Sequence, residues 1–406
     1  MSLVILSTHP IQYHAPVYRC VQSEYEIPVT VIYGSDFSIA GYRDREFGVD
    51  FSWDSDLLSG YTSIFLSHSQ RGGADCAERV SARGIGNVLG HLQPEAILLT
   101  GYRPRFDLGA FLSARRRACP LLLRAETTDH AVTRGRLKRW ARDVFLSRLY
   151  RNYSRLLYIG KRSRDHYVRL GAREDQLIFS PYCVDTSVFQ VEDEDRLRLR
   201  HETRQALNLG DDQCVLLFSG KLVPRKGPEL LLEAVKELRQ TWRKHVAVLF
   251  LGEGDLRESL QEFAESTPVI AARFVGFQNQ RSLSRFYHAA DMLVMPSHVS
   301  ETWGLVVNEA LHHGLPCVVS SAVGAAPDLV EEGVTGATFQ VGSVEELGCA
   351  IEQTMDLLEM PDLRLRCREK VNQYSLDAAA RGIARAYREV VATRRGTEIA
   401  GGVFSR

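Results

Sequence analysis

Residues 296–311 read PSHVSETWGLVVNEAL, and this stretch organises the second half of the chain. The apolar run 292–295 precedes it, and an amphipathic pattern of helical period begins near Gly304 and continues to His313. A strand that leads through a loop into a helix is the repeating unit of a doubly wound parallel sheet. Such a helix points its first backbone N–H groups at the carboxyl edge of the sheet, where phosphate groups bind. The stretch therefore predicts an α/β domain with an anion site at this loop.

The same alternation of apolar runs and amphipathic stretches extends in both directions. Runs typical of strands cover 3–8, 28–33, 62–66, 96–100, 121–125, 156–159, 177–180, 214–219, 246–251, 272–276, 292–296 and 316–320. Stretches typical of helices include 73–91, 136–153, 228–242, 256–264, 283–290, 304–313 and 378–392. An exposed acidic connector is expected at 191–195. We predict two Rossmann-like, doubly wound domains, 1–188 and 189–375, followed by 376–406 as a helix and a frayed tail.

Composition limits the classes of function. The 406 residues suffice for two or three domains, and 50 lysines and arginines balance 50 aspartates and glutamates. A balanced charge disfavours a nucleic-acid partner, which calls for a basic excess. No apolar run approaches the roughly 20 residues of a membrane span. Residues 1–8 lack the basic start of a signal peptide, and the eight cysteines show no CxxC spacing, so we expect a cytoplasmic protein with reduced thiols.

Two glutamates in residues 296–311 are candidates for contacts with a nucleotide. Glu301 lies in the loop before the helix, and Glu309 follows nearly two turns into it. A carboxylate in the second position can accept hydrogen bonds from the paired hydroxyls of a ribose. The alternative is a pair of solvated glutamates beside an amphipathic helix. The preceding apolar strand, and the glycine and tryptophan at the helix start, favour the nucleotide site.

Residues 218–227, FSGKLVPRKG, bring cations to the carboxyl end of another strand. Lys221 and Lys226 suit a diphosphate, whereas a basic surface turn is the alternative. The stretch is not a P-loop, because the GxxxxGK[ST] pattern is absent. Phe274, in the predicted strand 272–276, and Phe277, directly after it, predict contacts with a nucleobase.

Residues 251–257, LGEGDLR, open like a dinucleotide fingerprint but lack its third glycine. A tight strand-to-helix turn explains these residues equally well.

In the first half, the loop after the first strand reads THPIQYHAP, residues 8–16. Its side chains His9, Gln12 and His14 are expected at the cleft, in contact with acceptor hydroxyls or a donor phosphate. The alternative is a loop packed on its own domain.

In order and spacing these stretches resemble the retaining glycosyltransferases of family 4, which have the GT-B fold. The resemblance centres on the E-x7-E element from Glu301 to Glu309, covers nearly the whole second half and extends more weakly into the first. Its further matches are YHAAD at 287–291, GLP at 314–316, GVTG at 333–336 and YS at 374–375. It implies that the two domains face each other across a cleft and that the last helix crosses back to the first domain.

The resemblance also implies a role for each matched residue. Glu309 corresponds to the ribose-binding glutamate, and Glu301 to the glutamate that contacts the donor sugar near its reacting carbon. Lys226 corresponds to the lysine on the donor diphosphate. The backbone N–H groups of Gly304 and Leu305 would face the same diphosphate.

Three positions depart from the family pattern. Lys221 stands where the family usually has arginine, which keeps the charge but removes the bidentate fork. Cys183 takes the glycine position of the PxGVD linker, here PYCVD at 181–185. The family often has a sugar-binding histidine directly after the strand 121–125, where this chain has Glu126, with His130 four residues later. Either side chain is a candidate for the catalytic contact with the donor sugar, and His130 is equally compatible with a structural role.

We therefore expect a retaining hexosyltransferase-type glycosyltransferase that moves a sugar from a UDP or GDP sugar to an acceptor hydroxyl during polysaccharide, glycolipid or other glycoconjugate synthesis. A sugar-nucleotide epimerase of the same fold and a non-catalytic binder of nucleotide sugars or glycans are the alternatives. No metal is expected, since Lys221, Lys226 and the helix start can neutralise the diphosphate. Two D-x-D matches, at 54–56 and 193–195, lack the context of a metal site.

Residues 134–155 carry seven arginines and one lysine against a single aspartate, interleaved with apolar residues. One interpretation is a helix on an anionic membrane surface, which would suit a lipid-linked or glycan acceptor and a peripheral position on the inner face of the membrane. The alternative is an ordinary amphipathic helix that packs one face on the sheet.

Overall fold

The computed structural model describes residues 2–39, 42–43, 50–51, 56–102, 105–117, 119–130, 135–238, 246–267, 270–299 and 301–403. The strands of the first half are β1 (Leu3–Ser7), β2 (Val29–Tyr33), β3 (Tyr42–Arg43), β4 (Asp50–Phe51), β5 (Thr62–Phe65), β6 (Ala96–Leu99), β7 (Leu121–Arg124), β8 (Arg155–Tyr158) and β9 (Leu177–Phe179). The short strands β3 and β4 pair antiparallel, and the other seven form a parallel sheet in the order β5-β2-β1-β6-β7-β8-β9.

Helices cover both faces of this first sheet, because its central strands are buried throughout their length and read as continuous apolar runs. The helices of the first half are α1 (Ala15–Ser23), α2 (Ile85–Leu92), α3 (Phe106–Arg115), α4 (Arg136–Tyr150) and α5 (Lys161–Arg169). The sheet order changes direction at β1, so the loops after β1 and β6 border the crevice in which open α/β sheets bind ligands.

The second half repeats the architecture with six parallel strands in the order β12-β11-β10-β13-β14-β15. These strands are β10 (Cys214–Ser219), β11 (Val246–Leu251), β12 (Ala271–Phe274), β13 (Met292–Met295), β14 (Cys317–Ser320) and β15 (Gly336–Phe339). Its helices are α6 (Asp193–Ala206), α7 (Pro228–Glu237), α8 (Arg257–Ser266), α9 (Gln280–Ala289), α10 (Leu305–His312), α11 (Ala326–Leu329), α12 (Val344–Leu357) and α13 (Leu363–Asn372). The direction changes between β10 and β13, the strands that precede the two motif loops, 218–227 and 296–311.

The last helix, α14 (Leu376–Val403), returns to the first domain. Its residues Ala379, Ala380 and Ile383 share a buried core with the strands β1 and β2. The approach is close, since a Cβ at Gly382 would lie 2.2 Å from the carbonyl oxygen of Phe179. The predicted α/β class, with two Rossmann-like domains and a helix that crosses back, is therefore confirmed.

The two domains also touch directly beside the cleft. The backbone N–H of Lys161, at the start of α5, donates to both carboxylate oxygens of Asp328 over 3.0 and 3.2 Å. A carboxylate at a helix N-terminus is favourable. Tyr374 fixes the same carboxylate through a 2.7 Å hydrogen bond from its hydroxyl. This contact holds the first domain against the second on one side of the cleft.

Two sequence predictions of local structure are wrong. The helix expected at 73–91 is confined to α2, because Gly84 has a positive φ of 90° and begins the helix. The acidic connector expected at 191–195 instead contains the start of α6, which begins at Asp193. The frayed tail expected from 397 stays a prediction, and α14 ends at Val403. None of the helices in the described ranges has the length and apolar character needed to cross a membrane.

Candidate functional site

Two glycine-containing loops lie against each other at the carboxyl edge of the second sheet. The N–H of Gly220, after β10, donates to the carbonyl oxygen of Leu251 over 2.9 Å. A Cβ at Gly252 would lie 1.9 Å from the carbonyl oxygen of Gly220, and one at Gly254 would lie 2.4 Å from that of Leu222. Both glycines also have positive φ angles, 152° and 156°. The LGEGDLR stretch therefore forms a tight turn whose glycines allow the two loops to touch.

A cavity of about 200 Å³ opens in front of these loops, between the two domains. Gln12 and Tyr13 line it from the first domain. The second domain supplies Ser219, Gly220, Leu251, Gly252, Phe277, Gln278, Asn279, Gln280, Leu283, Val306 and Glu309. The cavity therefore lies at the point where the second sheet changes direction, and side chains from both domains reach it.

Glu309 is the acidic residue of this cavity, and it is only 2% exposed. Its Oε2 accepts a 2.6 Å hydrogen bond from the hydroxyl of Tyr287, and its Oε1 accepts a longer one, 3.4 Å, from the amide of Gln280. Burial raises the pKa of Glu309 to about 7, although these two hydrogen bonds favour the ionised form. The cavity thus contains a carboxyl group that is poised to change its charge near neutral pH.

The position of Glu309 is supported from behind by His313. The His313 ring stacks on Tyr287 at 4.9 Å between ring centres, and its Nδ1 lies 2.7 Å from the carbonyl oxygen of Glu309. Its Nε2 lies 2.9 Å from the hydroxyl of Ser284. Burial lowers the pKa of His313 to about 3, so the ring is neutral at physiological pH. The neutral His313 ring therefore contacts both Tyr287 and Glu309 and fixes their positions.

Lys226 and Glu301 meet beside the cavity, where their side chains form a partly buried ion pair. The loops that carry them are joined by a 2.9 Å hydrogen bond from the N–H of His298 to the carbonyl oxygen of Arg225. Gly227 permits this approach, because a Cβ there would lie 2.5 Å from the carbonyl oxygen of Pro296. The predicted diphosphate lysine and the predicted sugar-contacting glutamate are therefore neighbours.

Gly304 lies immediately before α10 and has a positive φ of 100°. Leu305 is the first residue of this helix, so its backbone N–H is among those without an intrahelical partner. The neighbouring Trp303 is buried, and its indole N–H donates to Asn308 over 2.8 Å. Lys221 is partly exposed in the loop after β10. The helix start and the basic loop thus face the same edge of the sheet.

Of the two candidates after β7, Glu126 is the one that the structure connects to the loop of Glu301. One Glu126 oxygen accepts a hydrogen bond from the hydroxyl of Tyr182, and the other accepts one from the hydroxyl of Thr302 over 3.1 Å. His130 is exposed, and its backbone N–H donates to Thr128 over 3.2 Å. Glu126 therefore links the first domain to the residue next to Glu301.

In the loop after β1, some side chains pack against the rest of the protein and others line the cavity. His9 packs on Phe37, with ring centres 4.5 Å apart. His14 is buried, its Nε2 lies 3.4 Å from the Tyr182 hydroxyl, and burial lowers its pKa to about 3. Gln12 lines the cavity. The structure thus places Gln12 at the site and His9 and His14 in contacts within the surrounding protein.

The two phenylalanines predicted for the base have different surroundings. Phe277 lines the cavity. Phe274 stacks on Phe250 with ring centres 4.7 Å apart and planes 9° apart, within the packing of β11 and β12. Only Phe277 of this pair is therefore brought to the described cavity.

In the part of the chain that the structure describes, no group of three or more histidine, cysteine, aspartate or glutamate side chains is placed so that it could hold a metal ion. Asp54 and Ser55 of the first D-x-D match lie outside the described residues, and the second match lies in α6. Metal independence stays a prediction.

The sequence reasoning missed three residues that build the site. Tyr287 and Gln280 hold Glu309, and Tyr182 holds Glu126. Tyr287 and Tyr182 lie in stretches quoted above for the family resemblance, YHAAD and PYCVD, which was the available signal. The direction of these side chains depends on tertiary packing, so their hydrogen-bond partners could not be predicted from the spacing of residues in the sequence.

Comparison with known proteins identifies the second domain. Residues 200–374 match the model of the family described as Glycosyl transferases group 1. Over these residues, which are less than half of the chain, the protein is similar to glycosyl transferases group 1. The matched segment contains Lys226, Glu301 and Glu309, so these residues lie in the part of the chain that carries the family likeness.

Curated relatives match part of the chain. The lipopolysaccharide 1,2-N-acetylglucosaminetransferase of Salmonella typhimurium is 31% identical over 176 residues, which are 41% of this chain and 44% of that protein. A D-inositol 3-phosphate glycosyltransferase of Geodermatophilus obscurus is 31% identical over 232 residues, 55% of this chain and 49% of that protein. The chain thus spans about half the length, or less, of these relatives.

A solved structure resembles both domains of the chain together. The crystal structure of HepE from Anabaena in complex with UDP superposes with a TM-score of 0.70 and covers 96% of this chain and 100% of that one. The sequence identity is 16%, so this likeness concerns the fold alone. The fold is GT-B.

Proposed function

We propose that the protein transfers a sugar from a nucleoside diphosphate sugar to an acceptor hydroxyl, with retention of the anomeric configuration. The observation that carries this proposal is the meeting of four features around one interdomain cleft. These are the buried Glu309, the Lys226–Glu301 pair, the start of α10 at Gly304 and Leu305, and the cavity beside them. The family likeness of the second domain and the curated relatives, which are named as sugar transferases, support it further.

The donor would lie along the carboxyl edge of the second sheet. Its nucleoside would occupy the cavity, with a ribose hydroxyl on the ionised carboxylate of Glu309 and the base near Phe277. The donor is proposed to be a UDP or GDP sugar, and UDP is the first to test because HepE, which shares the fold, is in complex with UDP. The diphosphate would then lie against Lys226, Lys221 and the first N–H groups of α10, where the helix dipole favours negative charge.

These groups can stabilise the leaving diphosphate. Negative charge develops on it as the bond to the sugar carbon breaks, and preformed cations and N–H donors stabilise such charge more than they stabilise the ground state. Lys226 would exchange Glu301 for the diphosphate, which frees the Glu301 carboxylate to orient the sugar. Glu126, which bridges to Thr302, would contact the same sugar from the first domain. The bridge between the domains also helps to keep water away from the reacting carbon.

The acceptor would come from a glycoconjugate, and features of α4 support an acceptor at a membrane surface. Leu146, Leu149 and Tyr150 pack that helix on its domain, but Leu137, Trp140 and Phe145 are 77%, 64% and 47% exposed. Arginines and a lysine surround these exposed apolar side chains. An apolar and basic helix surface of this kind suits an anionic bilayer, as a peripheral contact on the inner face.

The test of the donor is calorimetric titration of the full-length protein with UDP, GDP and ADP in the absence of metal. We expect one diphosphate, UDP first, to bind to the wild type and to lose its affinity in the Glu309→Ala variant. The corresponding nucleotide sugar, incubated with candidate acceptors, should yield a product whose anomeric proton coupling matches that of the donor. An inverted product would refute retention. A product with an epimerised free sugar nucleotide and no acceptor linkage would favour an epimerase.

A further inference from the structure

The side-chain amide of Gln12 is an unusual feature of the first domain. Gln12 is 7% exposed, and its Oε1 has no hydrogen-bond partner among the residues that the structure describes. Buried polar atoms are nearly always paired, so an unpaired acceptor in a native site calls for a partner from outside the chain. Its loop, between β1 and α1, borders the crevice of the first sheet.

Gln12 lies between two cavities. It lines the cavity of about 200 Å³ that contains Glu309, and also a second cavity of about 130 Å³. Tyr13 and Gln280 line both cavities as well, so the two spaces meet at these three side chains. Burial and the charge of Glu309 raise the pKa of the Tyr13 hydroxyl, while a hydrogen bond from Gln12 opposes the increase. The Gln12 amide is therefore within the immediate surroundings of the Glu309 carboxylate.

The chemistry of these neighbours matches one part of the proposed donor. Gln280 donates to Glu309, and the unpaired Gln12 oxygen needs a donor. A nucleoside offers ribose hydroxyls, which donate and accept, and base N–H groups, which donate. A diphosphate offers acceptor oxygens alone at neutral pH and is matched by the cations on the other loops, Lys221 and Lys226.

We propose that Gln12 of the first domain binds the nucleoside of the donor, opposite Glu309 of the second domain, so that the nucleoside bridges the two domains. This inference rests on the proposed function and adds to it a positioning and specificity residue that the second domain does not contain. It also assigns Gln12 to the nucleoside, where the sequence alone left it between the acceptor and the donor phosphate. Nucleotide affinity should then depend on the first domain, although most of the site belongs to the second.

The experiment compares Gln12→Met with the wild type in calorimetric titrations of the full-length protein. The probes are UDP, GDP, ADP and inorganic pyrophosphate. Gln12→Met keeps the length of the side chain and removes its hydrogen-bonding atoms. We expect the affinity for the preferred nucleoside diphosphate to fall about fivefold to tenfold, the loss typical of one hydrogen bond. The affinity for pyrophosphate should not change, because pyrophosphate lacks the nucleoside.

Thermal unfolding without ligand supplies a second readout. Gln12→Met removes the unpaired acceptor and also the hydrogen bond from Gln12 to Tyr13, and these two changes act in opposite directions on stability. The melting temperature should therefore change little, while nucleotide binding weakens. The matched control is Gln205→Met on the exposed surface of α6, which should change neither quantity. Gln12→Asn, which withdraws the amide by one methylene group, replaces Gln12→Met if the latter does not fold.

Three results would overturn the inference. Unchanged nucleotide affinity in Gln12→Met would show that the amide does not contact the nucleoside. An equal loss for pyrophosphate would assign Gln12 to the phosphates or to the fold. A lower melting temperature with a proportionate loss for every probe would show a structural role. If the wild type binds none of the three nucleoside diphosphates, the proposed function itself fails, which is a separate outcome.

Discussion

The hydroxyl of Tyr287 donates to the buried carboxylate of Glu309 over 2.6 Å. The two residues come from α9 and α10, and both are nearly inaccessible to solvent. A buried carboxylate costs free energy when it is ionised, and one good hydrogen bond offsets part of that cost. The ionised carboxylate of Glu309 can therefore accept hydrogen bonds from a ligand, but its charge destabilises the folded protein when no ligand is bound.

Replacing Glu309 with glutamine should stabilise the protein at alkaline pH. Burial raises the pKa of Glu309 from 4.5 to about 7, so the folded chain binds more protons at this residue than the unfolded chain between these pH values. The unfolding free energy of the wild type should therefore fall as pH rises through this window. Glutamine does not ionise, so Glu309→Gln should gain up to about 3 kcal/mol relative to the wild type at pH 8 and little at pH 4.

Urea denaturation at the two pH values measures this effect. The control is Glu262→Gln, a change at an exposed glutamate of α8, which should not alter the difference between the pH values. A Glu309→Gln variant with the same relative stability at pH 4 and pH 8 would contradict the raised pKa. Its loss of UDP affinity, measured in parallel, would separate the ligand role from the stability effect.

The lysine that pairs with Glu301 should matter for every phosphate-containing ligand. Lys226→Met removes a charged donor from the diphosphate and leaves Glu301 without its partner. Hydrogen bonds to charged groups contribute about 1.5–3 kcal/mol, so affinity for both UDP and pyrophosphate should fall about 10- to 100-fold. Lys236→Met, on an exposed position of α7, is the matched control. Unchanged pyrophosphate binding in Lys226→Met would remove Lys226 from the diphosphate site.

The contact between the two glycine loops predicts a large effect from a single methyl group. In Gly252→Ala, the new Cβ would lie 1.9 Å from the carbonyl oxygen of Gly220, so backbone would have to move. The positive φ of Gly252 adds strain. We expect a loss of more than about 3 kcal/mol in unfolding free energy, measured by urea denaturation.

Gly333→Ala is the control for this substitution. Gly333 also has a positive φ, 70°, but a Cβ there would meet nothing within 4 Å. The unfolding free energy of Gly333→Ala should therefore fall by about 1–2 kcal/mol, which is the cost of a positive φ for alanine. Equal losses in the two variants would mean that the steric contact at Gly220 relaxes at little cost.

The second domain was the more predictable half, for a physical reason. Its strands are buried apolar runs, and β10 and β11 begin and end at the predicted residues. Its motifs contain residue types that suit few structural settings, such as Gly304 with a positive φ before a helix and Lys226 in the loop between β10 and α7. The side chains that contact the motif residues were harder to predict. The direction of the Tyr287 hydroxyl, for example, depends on how α9 packs on α10.

Several features of the first domain could not be predicted from the sequence. A helix was predicted at 73–91 from amphipathic spacing, but periodicity does not show which residues begin a helix, and Gly84 delays it. His14 has the residue type of a catalytic base but is buried among neighbours that keep it neutral. Glu126 could not be preferred over His130 without knowing that it reaches Thr302 in the other domain.

That cross-domain contact predicts unequal effects for the two candidates after β7. Glu126→Gln keeps the size of the side chain but weakens its hydrogen bonds with Tyr182 and Thr302, and it should lower sugar transfer about 10- to 100-fold. His130→Ala should leave the rate close to that of the wild type, because the hydrogen bond that His130 makes to Thr128 comes from its backbone N–H, which alanine keeps. The measurement is release of nucleoside diphosphate from the bound nucleotide sugar. A larger effect for His130→Ala would reverse the assignment.

The exposed apolar side chains of α4 predict binding to anionic membranes. Leu137 is 77% exposed beside arginines, and inserting one leucine contributes about 1.5–3 kcal/mol. Leu137→Asp should therefore weaken sedimentation with phosphatidylglycerol vesicles about 10-fold or more, whereas phosphatidylcholine vesicles should bind neither protein. The control is Leu365→Asp on α13, where the leucine is 58% exposed and also flanked by arginines. Equal losses in both variants would show that general surface charge, rather than α4, governs binding. Salt should weaken the wild-type interaction, because the charge attraction is screened beyond about 10 Å at 0.1 M ionic strength.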